Sequence, residues 1–303
     1  MSKVLNIGSL NYDNVYQMDH MVKKGETASA GSMNVFLGGK GLNQSVAAAR
    51  AGLHVFHAGA VGEDGAELCG CMESEKIDTH LVRRLSGRSG HTIIQVDKDG
   101  DNCIIVYPGT NGQITQKDIH EILEEFGEGD FVIIQNEVSN TAAIIEACSA
   151  KKMVILFNPS PYDGHIAACD LGKVGVLLIN ETEGRALTGE ENPEAVVSAL
   201  IEKYPKMAVV LTLGSEGVLY AEGVQRIRQQ AVKVKAVDTT AAGDTFTGYF
   251  IAGLVRGEAM EKILKQCVCA SALACTRAGA VPSIPYMEEV QEMEKRHNIY
   301  GGI

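Results

Sequence analysis

The chain of 303 residues has no tryptophan, and aromatic residues make up only 5% of it. A site built by stacking bases would therefore have few side chains to use. No run approaches the roughly 20 apolar residues that cross a bilayer. The N-terminal stretch Met1-Ser-Lys-Val-Leu-Asn-Ile-Gly8 has no apolar core of a secretory signal. Positive charge is in deficit: 27 Lys and Arg stand against 38 Asp and Glu, a net charge of −11. This argues against a nucleic acid or an anionic membrane as partner over the whole surface, while leaving room for a local cationic pocket. None of the eight cysteines forms a C-x-x-C pair. Most stand in apolar context, as Cys103 does before Ile104-Ile105-Val106, so reduced, buried thiols and a cytoplasmic compartment are expected. Cys267 and Cys269 are candidates for a metal, although two apart on a helix they point in different directions. Repeats, low-complexity runs and linkers are absent too.

What is present is ordinary for a globular enzyme-sized chain: 45% hydrophobic and 21% charged residues, with 33 glycines for tight turns. A short apolar strand at 4–7 ends at Gly8. Residues 10–36 have no helical period and read as extended structure standing off the main body. A helix is expected at 43–50, ended at Gly52, then a strand at 55–60 and a helix at 65–76. Two β-rich runs, 91–96 and 103–107, join through Lys98-Asp-Gly-Asp101, a hairpin signal. Thr115-Gln-Lys-Asp118 is a capping box ahead of a helix face.

Apolar strands at 131–135, 153–157, 174–179 and 208–213 then alternate with helices at 140–151 and 193–204. Continuous apolar strands of this kind belong in a parallel sheet covered on both faces. Further strands are expected at 218–221 and 231–237, and helices at 245–255, 258–277 and 286–296. The fold class is therefore α/β, a doubly wound and mostly parallel sheet in an α/β/α sandwich. One main domain over 1–303 carries a small β lid from about 11–36 and 91–107.

The stretch Asp238-Thr-Thr-Ala-Ala-Gly-Asp-Thr-Phe-Thr-Gly248 is a bare loop opening into a helix. Free N–H groups and the positive end of the helix dipole favour an anion there. An acid at that place, Asp244, reads as a general base beside a bound phosphate, or as an acid that merely complements the dipole. Gly38-Gly-Lys-Gly-Leu-Asn43 has neither the P-loop nor the dinucleotide spacing. Lys40 and Asn43 beside bare backbone suit sugar hydroxyls, or the segment is a helix-entry turn. Asn11 and Asp13 grip vicinal hydroxyls well, or make an Asx turn.

Glu137 follows a strand, where open α/β sheets bind ligands, or is a solvated loop acid. Asn180-Glu-Thr-Glu183 suits magnesium held through water, or a helix cap. Thr212-Leu-Gly-Ser-Glu-Gly217 offers N–H groups to phosphate, or is a plain turn. Each falls at the carboxyl end of a strand, so all should line one crevice.

The two longest motifs, with Arg50 closing the first, resemble the two signatures of the ribokinase-like carbohydrate kinases. The likeness runs nearly end to end, through Thr276-Arg-Ala-Gly-Ala-Val-Pro-Ser283. It implies transfer of the γ-phosphoryl of ATP to the primary hydroxyl of a pentose, O5 of D-ribose, under a lid that often forms a dimer interface. By the resemblance, Asn11, Asp13, Gly39, Lys40, Asn43 and Glu137 match sugar contacts and Asp244 the base. The N–H groups of Ala241, Ala242, Gly243 and Asp244 match an anion hole. Asn180, Thr212, Gly214, Ser215, Glu216 and Gly217 match nucleotide contacts, and Glu183 the acid that organises magnesium through water. Asp238, Thr240, Ala274, Arg277, Gly279 and Ser283 match a potassium site.

Two departures stand out. Val268 replaces a polar side chain near the adenosine, which leaves the nucleotide open. Lys24 replaces a proline in what reads as the lid hinge. Competing functions are a kinase of the same family acting on fructose, a deoxy-sugar acid or a nucleoside, with Tyr12, Tyr16 and Phe36 as a base wall, and a non-catalytic sugar sensor. A nicotinamide oxidoreductase lacks its glycine fingerprint.

Overall fold

In chain order the elements are β1 (Val4–Ile7), β2 (Asn11–Gln17), β3 (Ser32–Gly38), α1 (Lys40–Arg50), β4 (Val55–Val61), α2 (Ala66–Ser74), β5 (Asp78–Arg84), β6 (Gly90–Val96), β7 (Asn102–Tyr107), α3 (Gln116–Leu123), β8 (Phe131–Gln135) and α4 (Thr141–Ala150). There follow β9 (Val154–Asn158), β10 (Val176–Asn180), α5 (Glu181–Thr188), α6 (Pro193–Lys203), β11 (Ala208–Thr212), β12 (Val218–Glu222), β13 (Gln225–Gln229), α7 (Ala242–Val255), α8 (Met260–Cys275) and α9 (Met287–Tyr300). This computed structural model describes residues 2–300; Met1 and residues 301–303, which the one-domain expectation takes in, lie outside the described residues.

Nine strands form the main sheet in the order β13-β12-β11-β10-β9-β8-β1-β4-β5, parallel except around β12. The inner strands alternate their apolar side chains between two cores. Ile133, Leu156 and Leu178 meet α1, α7 and α8 on one face. Leu5, Ile7, Val132, Ile134 and Phe157 meet α3, α4 and α6 on the other. Burial on both faces explains why these strands read as unbroken apolar runs.

The chain leaves β1 for β4 on one side and returns to β8 on the other. The reversal between β1 and β8 opens a crevice at their carboxyl ends, where ligands bind in such sheets. A second sheet, β3-β2-β6-β7, stands over that crevice. Its body-side ends are Asn11, Gly38 and Gly90, which pair in register.

Three expectations are corrected. Residues 231–237 form no strand; their alternating Val and Lys side chains instead cover a cavity, and the edge of the sheet is the polar hairpin partner β13. β5, with its polar Asp78–Arg84 sequence, closes the opposite edge unannounced. Lys24 lies in the connection 18–31, at the end of the small sheet far from the body, so it is no hinge. Cys103, expected to be buried, is exposed on β7.

Candidate active site

Helix α1 starts earlier than its apolar pattern suggests. Gly38 closes β3, Gly39 is the N-cap at φ 91°, and Lys40 and Gly41 are already helical. Gly39 has no side chain to cap with, so other segments do it. Glu137 Oε2 accepts from Lys40 N (3.0 Å), Ser9 Oγ from Gly41 N (3.2 Å) and the Ser9 carbonyl from Leu42 N (3.0 Å). Ser9 in turn donates to Glu137. The packing at this point is close: a Cβ on Gly41 would lie 2.3 Å from Ser9 N.

Helix α7 differs. Its N-cap, Ala241, holds a left-handed φ of 60°, which costs a non-glycine residue about 1 kcal/mol. Ala242 N donates to the Thr239 carbonyl (3.2 Å), which removes it from the expected anion hole. Among the described residues no protein acceptor stands on the N–H groups of Ala241, Gly243 or Asp244. Of the two helix starts facing the crevice, α1 is capped and α7 is open, so α7 is the one suited to an anion.

Asp244 occupies the first turn of α7 and is 8% exposed. Its Oδ2 accepts from Asn43 Nδ2 (3.0 Å) and its Oδ1 from Gln44 Nε2 (2.9 Å). Nearby, Asp13 Oδ1 accepts from Thr92 Oγ1 (2.7 Å). Burial pushes Asp13 up to about 6; the charges of Glu137 and Asp244 add to this, while the Thr92 bond and Lys40 oppose it. Burial also works against the Lys40 ammonium, but Asp244, Glu137, Glu183 and Asp13 outweigh it and hold its pKa above the ordinary value.

Lys40 thus lies in the field of four carboxylates; Asn43 donates to Asp244, while Asn11 Oδ1 accepts from Asn111 Nδ2 (2.8 Å). The polar groups suit a small polyhydroxy compound, whose hydroxyls donate to the acids and accept from Lys40 and the amides. Tyr12 and Tyr16 do not join them. They alternate with Asn11 and Asp13 and so face the other side of the small sheet; Phe36, opposite Asp13, is the aromatic on the inner side.

On the far side of Gly243 a cavity of about 650 Å³ is lined by Thr212, Gly214, Ser215, Gly217, Val268 and the 231–236 segment. Its walls are mostly apolar, so it suits a flat ring. Neither Asn180 nor Glu216 lines it. Asn180 caps α5, accepting from Glu183 N (2.9 Å), while Glu216 pairs with Arg228 (2.9 Å). Glu183 completes that capping box through Oε2, and no protein donor among the described residues reaches its Oε1. A buried carboxylate with one open oxygen fits magnesium held largely through water.

Asp238 accepts from Thr240 N (2.9 Å) and Gly279 N (2.9 Å). Burial alone would raise its pKa, but these bonds and that of the Thr240 hydroxyl outweigh it and hold it low. Asp238 therefore ties the 238–241 loop to the turn after α8, where the Ala274 carbonyl accepts from Arg277 N (3.1 Å). Arg277 pairs with Glu289, and Ser283 Oγ donates to the Ala280 carbonyl (2.8 Å). The loop and the turn after α8 offer mainly backbone carbonyls beside the single carboxylate of Asp238, a donor set that fits potassium better than a small divalent ion. Among the described residues no group of three or more His, Cys, Asp or Glu side chains could hold a metal, which includes Cys267 and Cys269.

Ser9, Thr92, Gln44 and Gln135 belong to this site and were not singled out from the sequence. Ser9 follows β1 just as Glu137 follows β8, so the strand-end rule would have found it. Gln44 and Gln135 are amides in apolar runs, which is the signal that they carry.

The model of the pfkB family carbohydrate kinases matches residues 1–287. Among curated relatives, the ribokinase of Haemophilus influenzae is 32% identical over 304 residues, covering 96% of this chain and 98% of the relative. Among solved structures, the ribokinase of Thermotoga maritima superposes with a TM-score of 0.86 at 33% identity, over 97% of this chain and 100% of that one. The Arabidopsis thaliana ribokinase complexed with ribose and ATP superposes with a TM-score of 0.83 at 28% identity, over 97% of this chain and 99% of the other.

Proposed function

The chain belongs to the pfkB family of carbohydrate kinases, and from that premise we propose that it transfers the γ-phosphoryl group of ATP to the O5 hydroxyl of D-ribose. The observation that carries the reading is the place of Asp244. It lies between the polar crevice of Asn11, Asp13, Lys40, Asn43 and Glu137 and the cavity that begins at Gly243, beside free helix N–H groups.

Asp244 takes the O5 proton as the new O5–phosphorus bond forms and the bond from the γ-phosphorus to the bridging oxygen breaks, releasing ADP. Phosphoryl transfer demands alignment and charge neutralisation more than covalent help. The N–H groups of Ala241, Gly243 and Asp244 meet the charge on the moving phosphoryl. Thr212, Gly214, Ser215 and Gly217 hold the nucleotide, with Val268 against its base. Glu183 would hold magnesium through water, and the ion would supply neutralisation of phosphate charge. Asp238, Thr240, Ala274, Arg277, Gly279 and Ser283 would hold potassium, which would supply a charge that stiffens the 238–244 loop. The small sheet closes over the sugar and excludes water. It also joins two copies into a homodimer, supported by half-exposed Val35, Ile93 and Ile105 on its outer face. No helix among the described residues is long and apolar enough to cross a membrane. We place the enzyme in the cytoplasm, with its thiols reduced.

The test is an ADP-release assay over ribose, fructose, a deoxy-sugar acid and adenosine, with and without potassium. Ribose should turn over best. Asp244→Asn should lower turnover by about 10²–10⁴, the range for loss of a general base. Ribose turning over no better than fructose or adenosine would sink the substrate assignment. Sugar binding without ADP release would favour the sensor.

A further inference from the structure

Gln44 is fully buried on α1, next to Asn43 but turned inward. An amide has nearly the same shape either way round, so its partners decide which end faces the carboxylate of Asp244. Here the decision passes through a chain of buried side chains. Asn6 Nδ2 donates to the Gly41 carbonyl (2.9 Å) and to Ser45 Oγ (2.9 Å), which leaves Asn6 Oδ1 facing Gln135. Gln135 Nε2 donates to Asn6 Oδ1 (2.9 Å) and to Gln44 Oε1 (2.8 Å). Turning Gln135 over would set its own oxygen against two other oxygens. Its Oε1 is instead left in a buried place without a partner, an unfavourable state that marks an orientation imposed by the neighbours. With Gln44 Oε1 engaged, Nε2 points to Asp244 Oδ1 (2.9 Å) and Asn158 Oδ1 (3.3 Å).

We propose that Gln44 is a positioning residue for the base, its N–H locking the Asp244 carboxylate against rotation, and that Gln135 fixes which way round Gln44 stands. Asn43 holds only Oδ2, and a carboxylate held at one oxygen can still swing; held at both, it keeps one lone pair aimed at the acceptor hydroxyl. The proposal rests on the reading of Asp244 as the base.

Gln44→Met keeps the volume and removes the donor. Turnover with ribose and ATP should fall about 10–100-fold, the scale of a misplaced reacting group, with KM for both substrates within about threefold of wild type. Gln135→Met should lose about 3–10-fold, and the double variant should be no slower than Gln44→Met within about twofold, because Gln135 acts through Gln44. Circular dichroism checks folding. Should Gln44→Met fail to fold, Gln44→Leu, which also removes the donor and adds no charge beside Asp244, reads the same loss. Turnover within twofold of wild type, a KM for ribose rising as turnover falls, or a double variant that multiplies the single losses would each overturn the proposal. Asp244→Asn measured alongside separates the two readings. Wild-type turnover there removes the base itself, whereas an inactive Asp244→Asn beside an unimpaired Gln44→Met removes only the positioning role.

Discussion

Asp13 sits where its charge is poorly accommodated. Burial raises its pKa to about 6, so between about pH 4 and 6 the unfolded chain ionises while the folded protein resists. Stability present below about pH 4 is therefore lost as pH rises through 6, on the order of 1–3 kcal/mol. Asp13→Asn removes that loss. It should melt higher than wild type at pH 8, with the gain gone at pH 4, and should bind sugar far more weakly. A lower melting temperature at pH 8 would contradict the account. In the wild type, the KM for ribose should rise as pH falls from 7 through 6, since a protonated Asp13 accepts fewer hydroxyls. At this scale the sequence was readable where chemistry is written in bare backbone around a single acid, as at Gly243-Asp244. It was mute on Gln44, whose neighbours in space come from β1 and β8, and on Ala241, since nothing in an alanine announces a positive φ.

Among elements, α1 and α7 set the geometry. A Cβ on Gly248 would lie 2.4 Å from Ala47 Cβ and 2.6 Å from Ala48 N, so the helices touch backbone to backbone. Gly248→Ala must push them apart, which overpacking data put at about 1–3 kcal/mol. The melting temperature should drop by several degrees and turnover should fall with it, because Asp244 is on one helix and Asn43 and Gln44 are on the other. An unchanged melt would show that the contact yields freely. The main-sheet strands readable in the sequence, β1, β4 and β8 to β12, are the apolar, buried ones. The edge strands β5 and β13 are written in polar residues, as exposed edges tend to be, and so read as loops. Residues 231–237 mislead in the opposite sense. Val232, Lys233 and Val234 all line a cavity, with no partner strand.

For the whole molecule, the small sheet carries the polar Asn11, Asp13 and Thr92 on its inner side and is mostly apolar on its outer one. Val35, Asn14, Ile93 and Ile105 form one row across all four strands, on the face opposite Asp13. Light scattering should find wild type as a dimer and Val35→Glu with Ile105→Glu as a monomer; a monomeric wild type would dispose of the interface. The row is visible in the sequence only once the register is known, which is why the small sheet could be read and its outer face could not. Since Gly248 holds α7 close against α1, Asp244, Asn43 and Gln44 keep their spacing in the floor of the crevice independently of the small sheet above them. With Asp244 read as the base, that arrangement would let the small sheet be rewritten for a differently shaped sugar while the floor stays as it is.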